Sequence, residues 1–144
     1  MIVKNLRESR ENLNLKQKDI AEKLGVDYST VSGWETGKDT IPLKRLITYA
    51  NLYKISLDYL FGIMKQNNYQ EIILDIENLS ENLFNLRNKN NMTQEAIGKK
   101  LNISTGTYCD YENGKELIST TTLYGLTTIY KPFSIDKLFQ NNTN

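Results

Sequence analysis

The sequence lacks several of the residues on which small proteins build reactive or cross-linked sites. Among its 144 residues there are no histidines, one cysteine and two prolines. A single cysteine excludes an internal disulfide, and the lack of histidine excludes a histidine general base. The sequence also contains no nucleophile–base pair, no set of metal ligands and no phosphate-binding glycine-rich loop. We therefore expect a protein that is not an enzyme and that uses neither a metal nor another cofactor.

The chain also lacks long apolar runs and a large charge imbalance. No stretch approaches the roughly 20 apolar residues of a membrane-spanning helix, and no signal peptide is visible. We therefore expect no membrane association and a cytoplasmic location. Lysine and arginine total 18 against 17 aspartates and glutamates, which leaves a formal net charge of +1. This balance excludes a broadly basic coat for nucleic acid but leaves room for a small basic contact face.

The sequence does contain an internal repeat, in which one pattern of residues occurs twice. At an offset of 77 residues, Asn5–Lys54 matches Asn82–Lys131 with 16 identities in 50 pairs, where unrelated sequences would give about three. A single pair of such long repeats indicates two copies of one small domain rather than a solenoid. We predict domains at residues 1–62 and 79–140, with a linker and the start of a long connecting helix at residues 63–78.

Apolar residues recur at helical spacing in both copies, and no segment shows the alternation of a strand. The stripe Ile20, Ala21 and Leu24 predicts a short second helix, which Gly25 would end in a left-handed conformation. Asn102, the counterpart of Gly25, also tolerates that conformation. The predicted fold class is therefore all-α, with five helices in each of two tandem domains.

A longer helix is predicted between the two copies. Apolar residues from Ile72 to Leu86 continue at helical spacing without a glycine or proline to interrupt them. A continuous helix from Tyr69 to Asn90 would be about 33 Å long at about 1.5 Å per residue. It would join the domains and become the first helix of the second one; the alternative is a helix that only packs against the first domain.

Each copy contains a helix-turn-helix, in which a short helix, a tight turn and a second helix precede a Gly-Lys loop. Ala21 and Gly98 are small where the two helices must cross closely. The stretch Gln17–Lys38 closely resembles the Cro/repressor-type family, also called the xenobiotic-response-element family, and Gln94–Lys115 resembles it too. The resemblance covers most of both domains. It implies two lambda-repressor-like domains that bind double-stranded DNA as a transcriptional regulator.

The third helix of the first copy is the expected reader of DNA bases. Val31 and Trp34, three residues apart, are expected to fix one side of this helix in the core. Its other side would then present side chains to base edges in the major groove. The residues expected on that side are Tyr28, Ser29, Ser32 and Gly33. Glu35 is expected to be a structural salt-bridge or cap residue rather than a base reader.

Phosphate-binding residues are expected around this helix. By the resemblance, Gln17 would bind a phosphate at the N-terminus of the second helix, where free amides and the helix dipole favour an anion. Thr36 and Lys38 in the following loop would hold the DNA backbone. Lys44 and Arg45 on the fourth helix would do the same, the alternative being that they form a solvated face.

The second copy keeps the scaffold of the motif but loses much of its charge. Its counterparts of Lys16, Lys18, Lys44 and Arg45 are Thr93, Glu95, Thr121 and Thr122. Because phosphate contacts supply most of the affinity for DNA, we expect the first copy to be the main DNA reader. The DNA-binding residues expected in the second copy are Gln94, Thr105, Asn113 and Lys115. Cys109, the counterpart of Ser32, is expected to lie exposed.

Two functions follow as competing hypotheses. The first is a sequence-specific transcriptional repressor that acts by promoter occlusion, with the second domain reading a different half-site. The alternative is a protein-interaction module, in which the second domain or both domains serve homodimerisation or partner docking. Ionic strength distinguishes them, because salt weakens DNA binding steeply and leaves an apolar protein interface largely unchanged.

Overall fold

The computed structural model describes residues 1–141 of the chain, and the regular structure in that range is helical throughout. A first unit comprises Met1–Glu71, and a second unit begins at Ile72. The first unit contains α1 (Leu6–Asn12), α2 (Gln17–Leu24), α3 (Tyr28–Thr36), α4 (Leu43–Tyr53) and α5 (Leu57–Leu60). The second contains α6 (Ile76–Lys89), α7 (Gln94–Leu101), α8 (Thr105–Glu112), α9 (Thr120–Ile129) and α10 (Ile135–Leu138). The all-α prediction, with five helices in each copy, is confirmed.

None of the helices in this range combines the length and the apolar character that crossing a membrane requires.

The core of each unit forms where the second helix of the motif packs on the third. In the first unit α2 packs on α3, and Ile20, Val31 and Trp34 are buried between the helices. Each such burial contributes about 1.5–3 kcal/mol, so this contact is a main source of the unit's stability. In the second unit α7 packs on α8, and Tyr108 and Tyr111 are buried in place of Val31 and Trp34. The core positions predicted for Val31 and Trp34 are confirmed, and their counterparts are buried in the second unit.

The turn between these helices has the predicted left-handed residue. Gly25 ends α2 with φ +67°, and Asn102 ends α7 with φ +58°. Glycine has no Cβ atom to oppose this conformation, and asparagine is one of the few other residues that adopts it at low cost. The two units therefore use the same backbone turn with different side chains.

The close helix crossing predicted at Ala21 and Gly98 is also present. A Cβ atom added to Gly98 would lie 3.2 Å from the carbonyl oxygen of Ile103, in the turn that follows α7. Ala21, its counterpart, is buried in the first unit. A side chain larger than alanine would push the turn away from the helix at this point.

The helix predicted between the copies is shorter than expected. α6 begins at Ile76 and not at Tyr69, because the Asp75 side chain accepts a hydrogen bond from the backbone N of Asn78 (3.2 Å) and caps the helix. Before this cap, Ile72 is buried while Ile73 is 69% exposed. The prediction of one continuous helix from Tyr69 to Asn90 is wrong in its first part. The adjacent β-branched residues Ile72 and Ile73 favour extended backbone, although the apolar residues of this stretch have the spacing of a helix.

Candidate nucleic-acid interface

A buried ion pair connects α1 to the C-terminal part of α3 in the first unit. Arg10 donates from Nε to Oε2 of Glu35 (2.7 Å) and from Nη2 to Oε1 (2.9 Å). Its Nη1 donates to the carbonyl oxygen of Leu15 (2.7 Å), in the loop before α2. Gln17, the first residue of α2, donates from Nε2 to Oε1 of Glu35 (3.0 Å). This network therefore fixes the start of α2 relative to α3.

The second unit repeats the network with nearly the same geometry. Arg87 donates to Glu112 over 2.7 and 3.0 Å and to the carbonyl oxygen of Met92 over 2.8 Å. Gln94 donates to Glu112 over 3.1 Å. The structural role predicted for Glu35 is confirmed, since its carboxylate is occupied by the Arg10 guanidinium and lies in the core.

Sequence reasoning missed the arginine partners of these glutamates. Arg10 and Arg87 lie at equivalent positions of the repeat, as do Glu35 and Glu112. The sequence did contain a signal for a buried pair. The same arginine occurs in both copies, at a position on the apolar stripe of its helix.

The Glu112 carboxylate is held in its ionised form. Burial disfavours the charge and is the largest single influence, but hydrogen bonds from Arg87, Tyr108 and Gln94 together outweigh it. The pKa of Glu112 is therefore lowered from its ordinary value of 4.5. Burial also raises the pKa of the Tyr108 hydroxyl, which stays a hydrogen-bond donor to this carboxylate.

The lowered pKa of Glu112 predicts acid-sensitive folding of the second unit. The ionised carboxylate stabilises the folded state fully above pH 4.5, and this contribution is lost as the pH falls through the lower folded-state pKa. We expect the second unit of the Glu112→Gln variant to lose less stability than the wild type between pH 5 and the acid limit. Circular dichroism during urea unfolding follows both units, whereas fluorescence of Trp34, the only tryptophan, follows the first alone. Equal pH dependence of the two proteins would contradict the prediction.

The outer side of α3 carries the residues predicted to read bases. Tyr28, the first residue of the helix, is 63% exposed, and Ser29 next to it is exposed. Ser32 is half-buried, while Thr36 is exposed and donates from Oγ1 to the carbonyl oxygen of Gly33 (3.3 Å). Gly33 lies on the same side of the helix but is buried. It is covered by the loop that follows α3.

The cations predicted to hold phosphates fall into two groups. Lys38 and Lys44 are exposed, and neither makes an ion pair within residues 1–141. Arg45, by contrast, donates from Nη1 to the carbonyl oxygen of Leu24 at the end of α2. A positive charge at a helix C-terminus is stabilising, which accounts for this position. Arg45 therefore has a structural contact, whereas the side chains of Lys38 and Lys44 have no hydrogen bond or ion pair within residues 1–141.

The N-termini of the motif helices differ systematically between the units. In the first unit α2, α3 and α4 follow Lys16, Asp27 and Pro42, none of whose side chains accepts a hydrogen bond from the helix. In the second unit α7, α8 and α9 follow Thr93, Ser104 and Ser119, each of which accepts from the amide three residues later. Uncapped amides at a helix N-terminus can bind an anion such as phosphate. No side chain caps these amides in the first unit, although at α2 the Asp19 carboxylate accepts from the backbone N of Lys16 (2.8 Å). The second unit caps all three N-termini with its own hydroxyls.

The residues predicted to bind DNA in the second unit are only partly available. Thr105, Asn113 and Lys115 are exposed. Gln94 is held at both ends of its amide, since its oxygen accepts from the Cys109 thiol (2.8 Å) while its nitrogen donates to Glu112. Cys109 is therefore half-buried, and its predicted exposure is wrong. The first unit's Gln17 has no partner for its amide oxygen within residues 1–141.

Two stretches of the chain, residues 6–60 and 83–138, match one family model, Helix-turn-helix. The chain is also similar to three proteins of Bacillus subtilis (strain 168). These are the uncharacterized HTH-type transcriptional regulator YobD (35% identical over 63 residues, 44% of this chain and 56% of YobD), the uncharacterized HTH-type transcriptional regulator YqaE (35% over 60 residues, 42% and 52%) and the HTH-type transcriptional regulator ImmR (36% over 59 residues, 41% and 46%). The chain thus spans about half the length of the curated relatives it matches. No solved structure matches it.

Proposed function

This chain belongs to the helix-turn-helix family in both of its halves, and from that premise we propose that it is a sequence-specific DNA-binding transcriptional repressor. It would act by occluding a promoter, without chemistry of its own. The observation that carries the proposal is the outer surface of the first unit. There the outer side of α3 is polar and exposed, the amides at the starts of α2, α3 and α4 have no side-chain cap, and the side chains of Lys38 and Lys44 are exposed.

In this proposal the first unit is the main DNA reader. Tyr28, Ser29 and Ser32 would meet base edges in the major groove, because they lie at the start and along the outer side of α3. Lys38 and Lys44 would neutralise phosphates, and the Thr36 hydroxyl and the Gln17 amide nitrogen would donate hydrogen bonds to phosphate oxygens beside them. The relatives YobD, YqaE and ImmR, whose names describe transcriptional regulators, support the same class of function.

Selection of the full-length protein against a random duplex DNA library tests the proposal. We expect enrichment of a defined sequence, which Tyr28→Ala should make less selective at one position. Lys38→Ala should instead weaken binding to all sequences equally and lower the slope of log affinity against log salt by about 0.9. Lys65→Ala, which removes an exposed lysine after α5, is the matched control and should change neither. Unchanged affinity and selectivity in both test variants would contradict the proposal.

A second candidate function concerns the second unit alone. Its closed helix N-termini and missing cations favour a role in homodimerisation or in docking another protein over the reading of a second half-site. Its exposed Asn113 and Lys115 favour the half-site. The same selection separates the two roles. Two different half-sites at a fixed spacing would mean that both units bind DNA, whereas one half-site or its inverted repeat would assign the second unit to assembly.

A further inference from the structure

The loop after α3 places a carboxylate on the outer surface of that helix. The backbone N of Asp39 donates to the carbonyl oxygen of Gly33 (3.1 Å), which fixes the loop against the helix. A Cβ atom added to Gly33 would lie 2.9 Å from Oδ2 of Asp39. The carboxylate therefore occupies the space that any side chain at position 33 would need.

This carboxylate lies among the residues that face the major groove in the proposed function. Positions 29, 33 and 36 follow one another on one side of α3 at helical spacing, so the Asp39 carboxylate stands between Ser29 and Thr36. Asp39 is exposed, and its oxygens have no hydrogen-bond partner within residues 1–141. They are free to accept hydrogen bonds from a molecule that approaches this side of the helix.

The second unit also has a carboxylate at this position of the motif, but there it belongs to the helix itself. The counterpart of Gly33 is Asp110, which carries its own carboxylate on α8. The loop is fixed in the same way, since the backbone N of Glu116, the counterpart of Asp39, donates to the carbonyl oxygen of Asp110 (3.3 Å). Both motifs therefore carry an acidic group at this turn of the third helix. Unrelated surface charges would not be expected to fall at the same turn of the third helix in both motifs.

We propose that Asp39 is a base-reading residue of the first unit and selects cytosine in the major groove. This inference rests on the proposed DNA-binding function. Cytosine itself presents an amino donor and no acceptor to the major groove. Guanine and thymine offer acceptors, which repel a carboxylate, and the amino group of adenine lies next to the N7 acceptor. A carboxylate fixed at the helix surface thus distinguishes cytosine from the other three bases.

Selection of the full-length protein on random duplex DNA, with three variants, tests this role. The wild type should enrich cytosine at one position of its site, and Asp39→Ala should reduce that preference about tenfold. Asp39→Asn should move the preference towards adenine, because an amide pairs with both the amino group and N7 of that base. Gly33→Ala keeps Asp39 but displaces its carboxylate, and should lose the same cytosine preference. Glu22→Gln, an exposed carboxylate on α2, is the control and should leave it intact.

Three results would overturn the inference, and they are distinguishable. If Asp39→Ala tightens binding to all sequences equally, the carboxylate only repels phosphates. If the wild type enriches a defined site and all Asp39 variants enrich the same one, Asp39 reads no base while the proposed function stands. If the wild type enriches no sequence, the proposed function fails together with the role of Asp39.

Discussion

Replacing Glu35 with leucine is expected to lower the free energy of unfolding of the first unit by about 3–5 kcal/mol. The Arg10 side chain is only 10% exposed and that of Glu35 only 2%, so the variant leaves an arginine charge in the core without its partner. It also leaves the Gln17 amide nitrogen without its acceptor. Since small domains are stable by roughly 5–15 kcal/mol, a loss of this size would remove a large part of the unit's stability.

The double variant Arg10→Met with Glu35→Leu is the matched control. Replacing a buried ion pair by apolar side chains of similar volume is often neutral or stabilising, so this protein should be far more stable than the single variant. Trp34 is buried in the first unit and is the only tryptophan of the chain, so its fluorescence during urea unfolding reports this unit alone. The prediction is contradicted if Glu35→Leu alone costs less than about 1 kcal/mol, the value of an exposed ion pair.

Much of the fold could be predicted because it depends on local features of the sequence. The turn at Gly25 and Asn102 needs a residue that adopts positive φ, and glycine and asparagine are the residue types that do so at low cost. The burial of Val31 and Trp34 follows from their spacing on one helix. Both predictions concern residues a few positions apart, where the geometry of a single helix or turn decides the outcome.

The predictions that failed concern contacts between elements, or signals that compete. The spacing of residues within α3 gives no information that Asp39 lies over Gly33. At the start of α6 the cap at Asp75 competed with an apolar stripe that continued on both sides of it, and the cap decided the boundary. The sites of these failures include the outer surface of α3, which is the part of the molecule that we propose to contact DNA.

Introducing residues of the second unit into the first should lower the affinity of the first unit for DNA. In the first unit the variant Lys16→Thr, Lys18→Glu, Lys44→Thr copies the second unit at three exposed positions. Each phosphate contact contributes about 0.9 to the slope of log affinity against log salt, which is nearly tenfold in affinity at about 0.1 M salt. We therefore expect DNA binding weaker by several hundredfold, on the order of the loss of three contacts. Fluorescence anisotropy with a labelled duplex, measured from low to high salt, gives both the affinity and the slope.

A control with the same change in net charge separates position from overall charge in this experiment. Lys23→Thr, Lys54→Asn and Lys65→Glu lie elsewhere in the first unit, at exposed positions, and should reduce affinity far less. Asparagine is used at position 54 because Lys54 has φ +56°. Because exposed charges more than about 10 Å from a phosphate are screened at 0.1 M salt, only lysines close to the DNA can have the large effect. If both triple variants lose affinity equally, the lysines act through net charge. The surface around α3 would then not be the DNA-binding surface, and the contrast between open and capped helix N-termini would have no bearing on which unit binds DNA.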